Sequence, residues 1–180
     1  MNAQDTMERN DVTTFQGKPM TLVGPGLQAG DRAPDFSLAA KDLSIATLDT
    51  ILDGGKRAAL LIVVPSLDTS VCQLESRKFN KRIHELPDGV KGYVVSVDLP
   101  FAMTRWSGAE EGDVQLEMLS DYRAHDFGRN YGVYIKELAL LARATFVIDK
   151  EGIIRYAEIV PEIASEPNYD AALAAAKSAA

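Results

Sequence analysis

The single cysteine of the chain, Cys72, lies where an ionised sulfur is favoured over a neutral thiol. It follows an apolar run at residues 58–64, typical of a central strand, and the short segment PSLDTSVC. Cys72 therefore falls in the first turn of a predicted helix at the carboxyl end of that strand, where open α/β sheets place their sites. Unpaired N–H groups and the positive end of the helix dipole stabilise an anion there. This position predicts a thiolate, the nucleophilic form of cysteine.

Two residues shortly before Cys72 suit such a site. Thr69 carries a hydroxyl that can donate to the sulfur and accept from another group, and with Asp68 and Ser70 it is also suited to cap the helix. Pro65 has no N–H and a fixed φ, so it can shield the sulfur from water without adding a competing donor. The pattern Pro-x-x-x-Thr-x-x-Cys is far narrower than a lone cysteine.

Arg143 interrupts a strongly apolar run, LLARATFVI, at residues 140–148. Burying a guanidinium is costly unless an anion meets it, and arginine is the side chain best shaped for a fixed anionic partner. A Cys72 thiolate would satisfy it. An ion pair with a carboxylate such as Asp149 or Glu158, or exposure on a sheet edge, would explain the arginine equally well.

An unreactive, buried cysteine is the competing interpretation of Cys72. Free cysteine is among the most buried residue types, and Cys72 shares a predicted helical face with Phe79, Ile83 and Leu86. Its place at the helix start and the arginine in an apolar run favour a functional role.

Hydrophobic patterning predicts the elements that position these residues. Residues 58–64 and 93–97 are expected to be parallel central strands joined by a helix over residues 70–86. A turn ending at Gly152 separates two β-rich runs and predicts a hairpin. The other expected elements are a hairpin at residues 13–23, an extended stretch at 36–48, a helix after Pro100, a strand near 115–119, a helix around 125–131 and a terminal helix at 169–180.

This order of elements predicts an α/β fold. It is a thioredoxin-like three-layer α/β/α sandwich with a mixed central sheet and an N-terminal β-hairpin. Residues 1–12 are expected to form a flexible tail and residues 13–180 a single domain. A chain of 180 residues lies within the usual size of one domain.

Composition excludes several classes of function. The net charge is −7 and the basic residues are scattered, so we expect neither a nucleic acid nor a membrane as partner. The polar first residues lack the apolar segment of an export signal, which favours the cytoplasm. His84 and His125 lack the neighbours that a metal site needs, and no Gly-rich phosphate loop is present, so neither a metal nor an organic cofactor is expected.

The chain resembles the bacterial thiol peroxidases, a subgroup of the peroxiredoxins. The resemblance covers nearly the whole chain and rests on many segments in one order. These are FQGKPMTLVG, GDRAPDFSL, PSLDTSVCQLESRKFN, SVDLPFAMTRW, LSDYRAHDFGRNYGV, KELALLARATFVIDKEG and VPEIASEPNYDAAL.

The resemblance implies a homodimer that reduces hydrogen peroxide or alkyl hydroperoxides with thioredoxin or another thiol as reductant. Carried over by position, Cys72 is the peroxidatic cysteine that becomes sulfenic acid, Thr69 and Pro65 are its motif partners, and Arg143 holds thiolate and peroxide. The residues alone had already singled out these four.

One position departs from the family pattern. Ser107 stands where the resolving cysteine is usually found, and a serine hydroxyl is too weakly acidic to attack a sulfenic acid. Ser107 is either a natural feature of a one-cysteine variant or an engineered replacement. Two other functions therefore stay open: a non-catalytic thiol redox sensor, and a structural thioredoxin-like domain whose thiol has ordinary reactivity.

Overall fold

A computed structural model describes residues 7–110 and 113–180 of the chain. The strands are β1 (Glu8–Phe15), β2 (Lys18–Val23), β3 (Leu38–Ala40), β4 (Ile45–Ala46), β5 (Ala58–Val63), β6 (Val90–Ser96), β7 (Glu117–Ser120), β8 (Tyr134–Ile135), β9 (Leu140–Leu141), β10 (Ala144–Ile148) and β11 (Ile154–Ile159). The helices are α1 (Leu48–Ile51), α2 (Ser70–Arg82), α3 (Pro100–Ala109), α4 (Asp126–Asn130) and α5 (Tyr169–Ser178).

The central sheet is mixed, as the sequence predicts. Its strand order is β11-β10-β5-β6-β7-β3-β4, with β5 parallel to β6 and β6 parallel to β7. The outer strands run antiparallel to their neighbours, including the predicted hairpin of β10 and β11. The β5-α2-β6 unit therefore has the parallel geometry expected of a crossover through a helix.

Strand β5 is fully buried because both faces of the sheet are covered. Leu61 and its alternate neighbours face a core that includes α1, α4 and the small sheet β1-β2-β8-β9. Leu60 and Ile62 face a second core made with α2, α3 and α5. A continuous apolar run is what a strand between two helical layers requires, so the predicted three-layer architecture is confirmed.

The N-terminal hairpin of β1 and β2 is also confirmed, but β1 starts earlier than expected. Residues 8–12, assigned to a flexible tail from their polarity, belong to β1, and residues 1–6 lie outside the described residues. The guanidinium of Arg9 fixes this end of the strand by donating to the carbonyl groups of Gly24 and Gly132. The polar side chains of β1 occur in a strand because one face of the hairpin is open to solvent.

Other differences lie at the ends of elements. Helix α2 stops at Arg82 and continues only as a single 3-10 turn over Ile83–Glu85, short of the predicted residue 86. The stretch at residues 36–48 contains the short strands β3 and β4 and leads into α1. Along residues 7–110 and 113–180, no helix has the length and apolar character needed to cross a bilayer.

Candidate active site

The loop between β5 and α2 is held in place by one carboxylate, Asp98, which follows β6. Its oxygens accept from the Ser66 hydroxyl at 2.8 Å, the Leu67 backbone N–H at 2.7 Å and the Ser96 hydroxyl at 2.8 Å. Because β5 and β6 are parallel, their carboxyl ends meet at one edge, and Asp98 ties the two loops there together. This fixes the path of the chain from buried Pro65 into α2.

Thr69 is the N-cap residue of α2, with an extended backbone. Its hydroxyl donates to the carbonyl oxygen of Ser66 at 3.1 Å and makes no capping hydrogen bond to the helix. The sequence offers this hydroxyl two roles, capping α2 or donating to the sulfur. The structure shows that it does not cap the helix. The first-turn N–H groups of α2 keep their capacity to face an anion.

Cys72 is the third residue of α2, in its first turn, and is 0% exposed. Its side chain belongs to the apolar core between the sheet and the helices, with Phe79 on the same helix and Leu60 of β5. In addition, its Sγ accepts a hydrogen bond from Nη2 of Arg143 at 3.3 Å. A cysteine that serves only as a small apolar side chain does not need a hydrogen bond from a buried guanidinium.

Arg143 is 1% exposed and all three of its nitrogen positions are engaged. Nη2 donates to Cys72, Nε donates to the carbonyl oxygen of Ile163 at 2.8 Å, and Nη1 donates to Oε2 of Glu75 in a buried ion pair. The residue is brought here by strand register, because Ala144 pairs with Val63 at the end of β5. Burial alone would lower the pKa of the guanidinium, but Glu75 and Cys72 raise it overall, so it stays a cation.

The carboxylate partner of Arg143 is therefore neither of the two considered from sequence. Asp149 accepts from Arg155 at 2.5 Å, and Glu158 accepts from the Tyr156 hydroxyl at 2.8 Å. Arg143 contacts the carboxyl of Glu75 as well as Cys72. An ion pair with an acid and a contact with the cysteine, offered as alternatives, therefore occur together. It does not lie exposed on a sheet edge.

Sequence analysis missed Glu75. It is 0% exposed, and burial raises the pKa of its carboxyl to about 7 even though Arg143 acts in the opposite direction. One signal was available: Glu75 follows Cys72 by three residues, so on a helix it lies on the same face.

Ser107 lies on α3, away from the contacts of Cys72. Its hydroxyl accepts from Nζ of Lys41 at 3.3 Å and donates to the carbonyl oxygen of Thr104 at 3.2 Å. The structure therefore brings Cys72 and Arg143 together, places Pro65 and Thr69 on the loop before them, and leaves Ser107 on a neighbouring helix. Within the described ranges, no three His, Cys, Asp or Glu side chains are grouped as a metal site would require.

Comparisons with known proteins show the family of the chain. The family model described as Redoxin matches residues 28–173. The chain is 49% identical over 167 residues to a thiol peroxidase of Streptococcus sanguinis, covering 93% of this chain and 99% of that protein. It is 46% identical over 165 residues to the thiol peroxidase of Bacillus subtilis strain 168, covering 92% and 96%.

Solved structures give the same result. A peroxiredoxin-like protein from Aquifex aeolicus superposes with a TM-score of 0.84 at 40% identity, covering 96% of this chain and 99% of the other. A thiol peroxidase from Chromobacterium violaceum has a TM-score of 0.79 at 22% identity, covering 88% and 91%, which supports the fold alone. The chain therefore belongs to the Redoxin family, in which its thiol peroxidase relatives make it an oxidoreductase of the peroxiredoxin type.

Proposed function

We propose that the chain reduces hydrogen peroxide and alkyl hydroperoxides with Cys72 as the attacking group. The observation that carries this proposal is the 3.3 Å contact between Cys72 Sγ and Arg143 Nη2 at the start of α2. A buried guanidinium and a helix N-terminus both favour negative charge on the sulfur. The same two groups favour the charge that develops on a departing oxygen.

The proposed step forms one S–O bond and breaks the O–O bond. The Cys72 thiolate supplies the electron pair, attacks the terminal oxygen and becomes sulfenic acid, while the peroxide is reduced. The departing hydroxide or alkoxide takes up a proton and leaves as water or an alcohol. Arg143 and the first-turn N–H groups stabilise the charge on the leaving oxygen, and the Thr69 hydroxyl turns from Ser66 to the bound peroxide. Pro65 covers the pocket and keeps water out.

Regeneration is proposed to use an external thiol, because Ser107 cannot resolve the sulfenic acid. A thioredoxin-like protein or another thiol condenses with Cys72 sulfenic acid to give a mixed disulfide and water. A second thiol then reduces that disulfide and restores Cys72. The cytoplasm, where thiols are kept reduced, is the proposed compartment.

A redox sensor is the second candidate function, favoured specifically by Ser107. Without a resolving thiol, oxidation of Cys72 could end in a long-lived sulfenic acid that changes the affinity for a partner. Repeated turnover with an added dithiol supports the peroxidase. A single stoichiometric burst that no reductant restores supports the sensor.

Intact-mass measurement tests the proposal. Reduced protein is treated with one equivalent of peroxide in the presence of dimedone, which traps sulfenic acid, and the labelled peptide is mapped. We expect one label, on Cys72, and none in Cys72→Ser. Labelling of Cys72→Ser, or an unmodified thiol after peroxide, would remove Cys72 from the reaction.

We also propose that the chain is a homodimer, as the resemblance implies. Leu99, the N-cap of α3, and Phe101, in its first turn, are 51% and 67% exposed, which are large fractions for apolar side chains of this size. Sedimentation velocity should give the mass of two chains, and Phe101→Ser should shift the protein toward one. Ile45→Ser, at a similarly exposed apolar residue on β4, is the matched control.

A further inference from the structure

Two acidic groups of α2 share one buried cation. Cys72 and Glu75 lie on the same helical face, and both contact Arg143, the thiol through Nη2 and the carboxyl through Nη1. The exposed fractions of these three residues are 0%, 0% and 1%. Solvent therefore contributes little to balancing their charges.

Charge balance at this site allows only one anion. If both Cys72 and Glu75 were ionised, two negative charges would face one positive charge in a buried site, and an uncompensated buried charge is costly. The hydrogen bonds point the same way. Oε2 of Glu75 accepts from Arg143, whereas its buried Oε1 has no hydrogen-bond partner among the described residues. An ionised carboxylate would leave part of its charge on that unpartnered oxygen.

The groups around Glu75 on other elements do not supply a second cation. Glu158 of β11 and Glu166, before α5, both act to raise the pKa of Glu75, and burial, the largest cause, raises it to about 7. Lys78, on the next turn of α2, is paired with Glu166 at 2.6 Å, and the Tyr169 hydroxyl of α5 donates to the same carboxylate at 2.5 Å. Arg143 is thus the cation that Cys72 and Glu75 must share.

We propose that Glu75 holds a proton while Cys72 is ionised and releases it when Cys72 is oxidised, so that Arg143 faces one full negative charge before and after the reaction. The inference rests on the proposed peroxidase function and adds a residue to it. Glu75 acts through Arg143 and is a charge-compensating, positioning residue; it does not touch the peroxide.

The step balances in atoms and charge. Before reaction the site holds a thiolate, a guanidinium and a carboxylic acid. Afterwards it holds a sulfenic acid, the same guanidinium and a carboxylate. The hydroxide or alkoxide that leaves the peroxide takes up a proton, and Glu75 gives one up to solvent, so net proton uptake is zero. The net charge of the buried site is also zero in both states.

Reaction-induced infrared spectroscopy on the unmodified protein tests this directly. The thiolate is first verified by its ultraviolet absorbance near neutral pH, and one equivalent of hydrogen peroxide is then added. We expect loss of a protonated carboxyl C=O band and gain of a carboxylate band as the thiolate absorbance disappears. Oxidation of the thiolate with no loss of a carboxyl band would show that Glu75 keeps one protonation state through the reaction, and would overturn the inference.

Proton uptake in weakly buffered solution gives a second readout. Glu75→Gln keeps the shape and an acceptor for Arg143 but cannot release a proton. We expect the wild type to take up essentially no protons on oxidation, and Glu75→Gln to take up about one proton per oxidised cysteine. Glu117→Gln, at a half-exposed glutamate paired with Lys91, is the matched control and should behave as the wild type. Equal uptake in all three proteins would contradict the proposal.

These outcomes separate the inference from the function on which it rests. If peroxide leaves Cys72 unmodified by mass, the peroxidase proposal fails and no reaction-induced spectrum exists. If Cys72 is oxidised and the carboxyl band is unchanged, only the role of Glu75 fails. The infrared test needs no variant, so it stands even if Glu75→Gln does not fold.

Discussion

Arg143 donates to three different groups, a thiol, a carboxyl and a backbone carbonyl, from one planar side chain. A lysine keeps the charge but has a single nitrogen, so it cannot hold this set of partners in a fixed geometry. We expect Arg143→Lys to lower the second-order rate constant for oxidation by peroxide about 10²–10³-fold, the usual cost of losing one transition-state donor.

Stopped-flow fluorescence or competition kinetics measures that rate constant. Circular dichroism verifies that the variant is folded. Arg155→Lys is the matched control, because Arg155 also pairs with a buried carboxylate, Asp149, but lies away from Cys72. A rate constant unchanged by Arg143→Lys would mean that the guanidinium serves packing rather than chemistry.

At the scale of single residues, the sequence was enough to single out Cys72 and Arg143, while their contact followed only from the resemblance. Each is unusual for its local sequence, because Cys72 is a nucleophile at a helix start and Arg143 is a charged residue in an apolar run. Glu75 is not unusual, because α2 is rich in charged residues and a glutamate there is typical of a solvated face. Its burial depends on where the guanidinium of Arg143, the residue just before β10, lies, and the sequence does not specify that.

At the scale of elements, the loop between β5 and α2 depends on Asp98. Removing its carboxylate frees Ser66, Leu67 and Ser96 at once. We expect Asp98→Ala to lower the free energy of unfolding by about 1–3 kcal/mol and to speed amide exchange in residues 65–72. The rate of Cys72 oxidation should fall as well, because Thr69 and the helix start lose their fixed position.

Hydrogen exchange with mass spectrometry locates the change. Asp88→Ala, at an exposed aspartate in the turn before β6, is the matched control. Faster exchange spread over the whole chain, and not concentrated at residues 65–72, would show that Asp98 has a global rather than a local role.

Helices α2 and α3 carry the next prediction. Ser107→Cys introduces a second thiol on α3, and because Cys72 is buried we expect the first turn of α2 to unwind before the two sulfurs reach bonding distance. After one equivalent of peroxide without a trap, we expect an intramolecular disulfide, seen as the loss of two hydrogens by mass. Ser178→Cys, near the end of α5, should give no such bond and controls for a thiol placed at random.

The elements that the sequence predicted best are those with strong patterns. The continuous apolar run of β5 and the Gly-bearing turn between β10 and β11 specify their structures locally. Strands β8 and β9 have two residues each, too short for any periodicity. Their pairing is tertiary, since β8 adds to the edge of β2 and β9 adds to β8. The polar start of β1 was missed because its stability comes from Arg9 and its partner strand rather than from burial.

At the scale of the whole molecule, one buried carboxyl outside the site makes stability depend on pH. Burial raises the pKa of Asp121 to about 7, despite the N–H groups of Phe127 and Gly128 that it accepts from. At this group the folded state therefore binds more protons than the unfolded state from the ordinary carboxyl range up to about pH 7, so its contribution to the free energy of unfolding falls as pH rises through this window. The proton proposed on Glu75 adds no such slope near neutral pH, because Cys72, ionised in the folded protein, holds a proton in the unfolded chain.

Urea unfolding of the reduced protein at several pH values measures this contribution. We expect the free energy of unfolding to decline with pH by a smaller amount in Asp121→Asn than in the wild type, and by the same amount in Glu117→Gln as in the wild type. An identical pH dependence in the wild type and Asp121→Asn would mean that Asp121 is already ionised in the folded protein.

The complete burial of Cys72 also has a kinetic consequence for regeneration. A peroxide needs only a small gap to reach the sulfur, whereas under the proposed regeneration we expect a reductant to react only after the start of α2 opens. At low reductant concentration the recycling rate should then rise in proportion to the thiol. At high concentration we expect a ceiling equal to the frequency of helix opening, the same for every reductant.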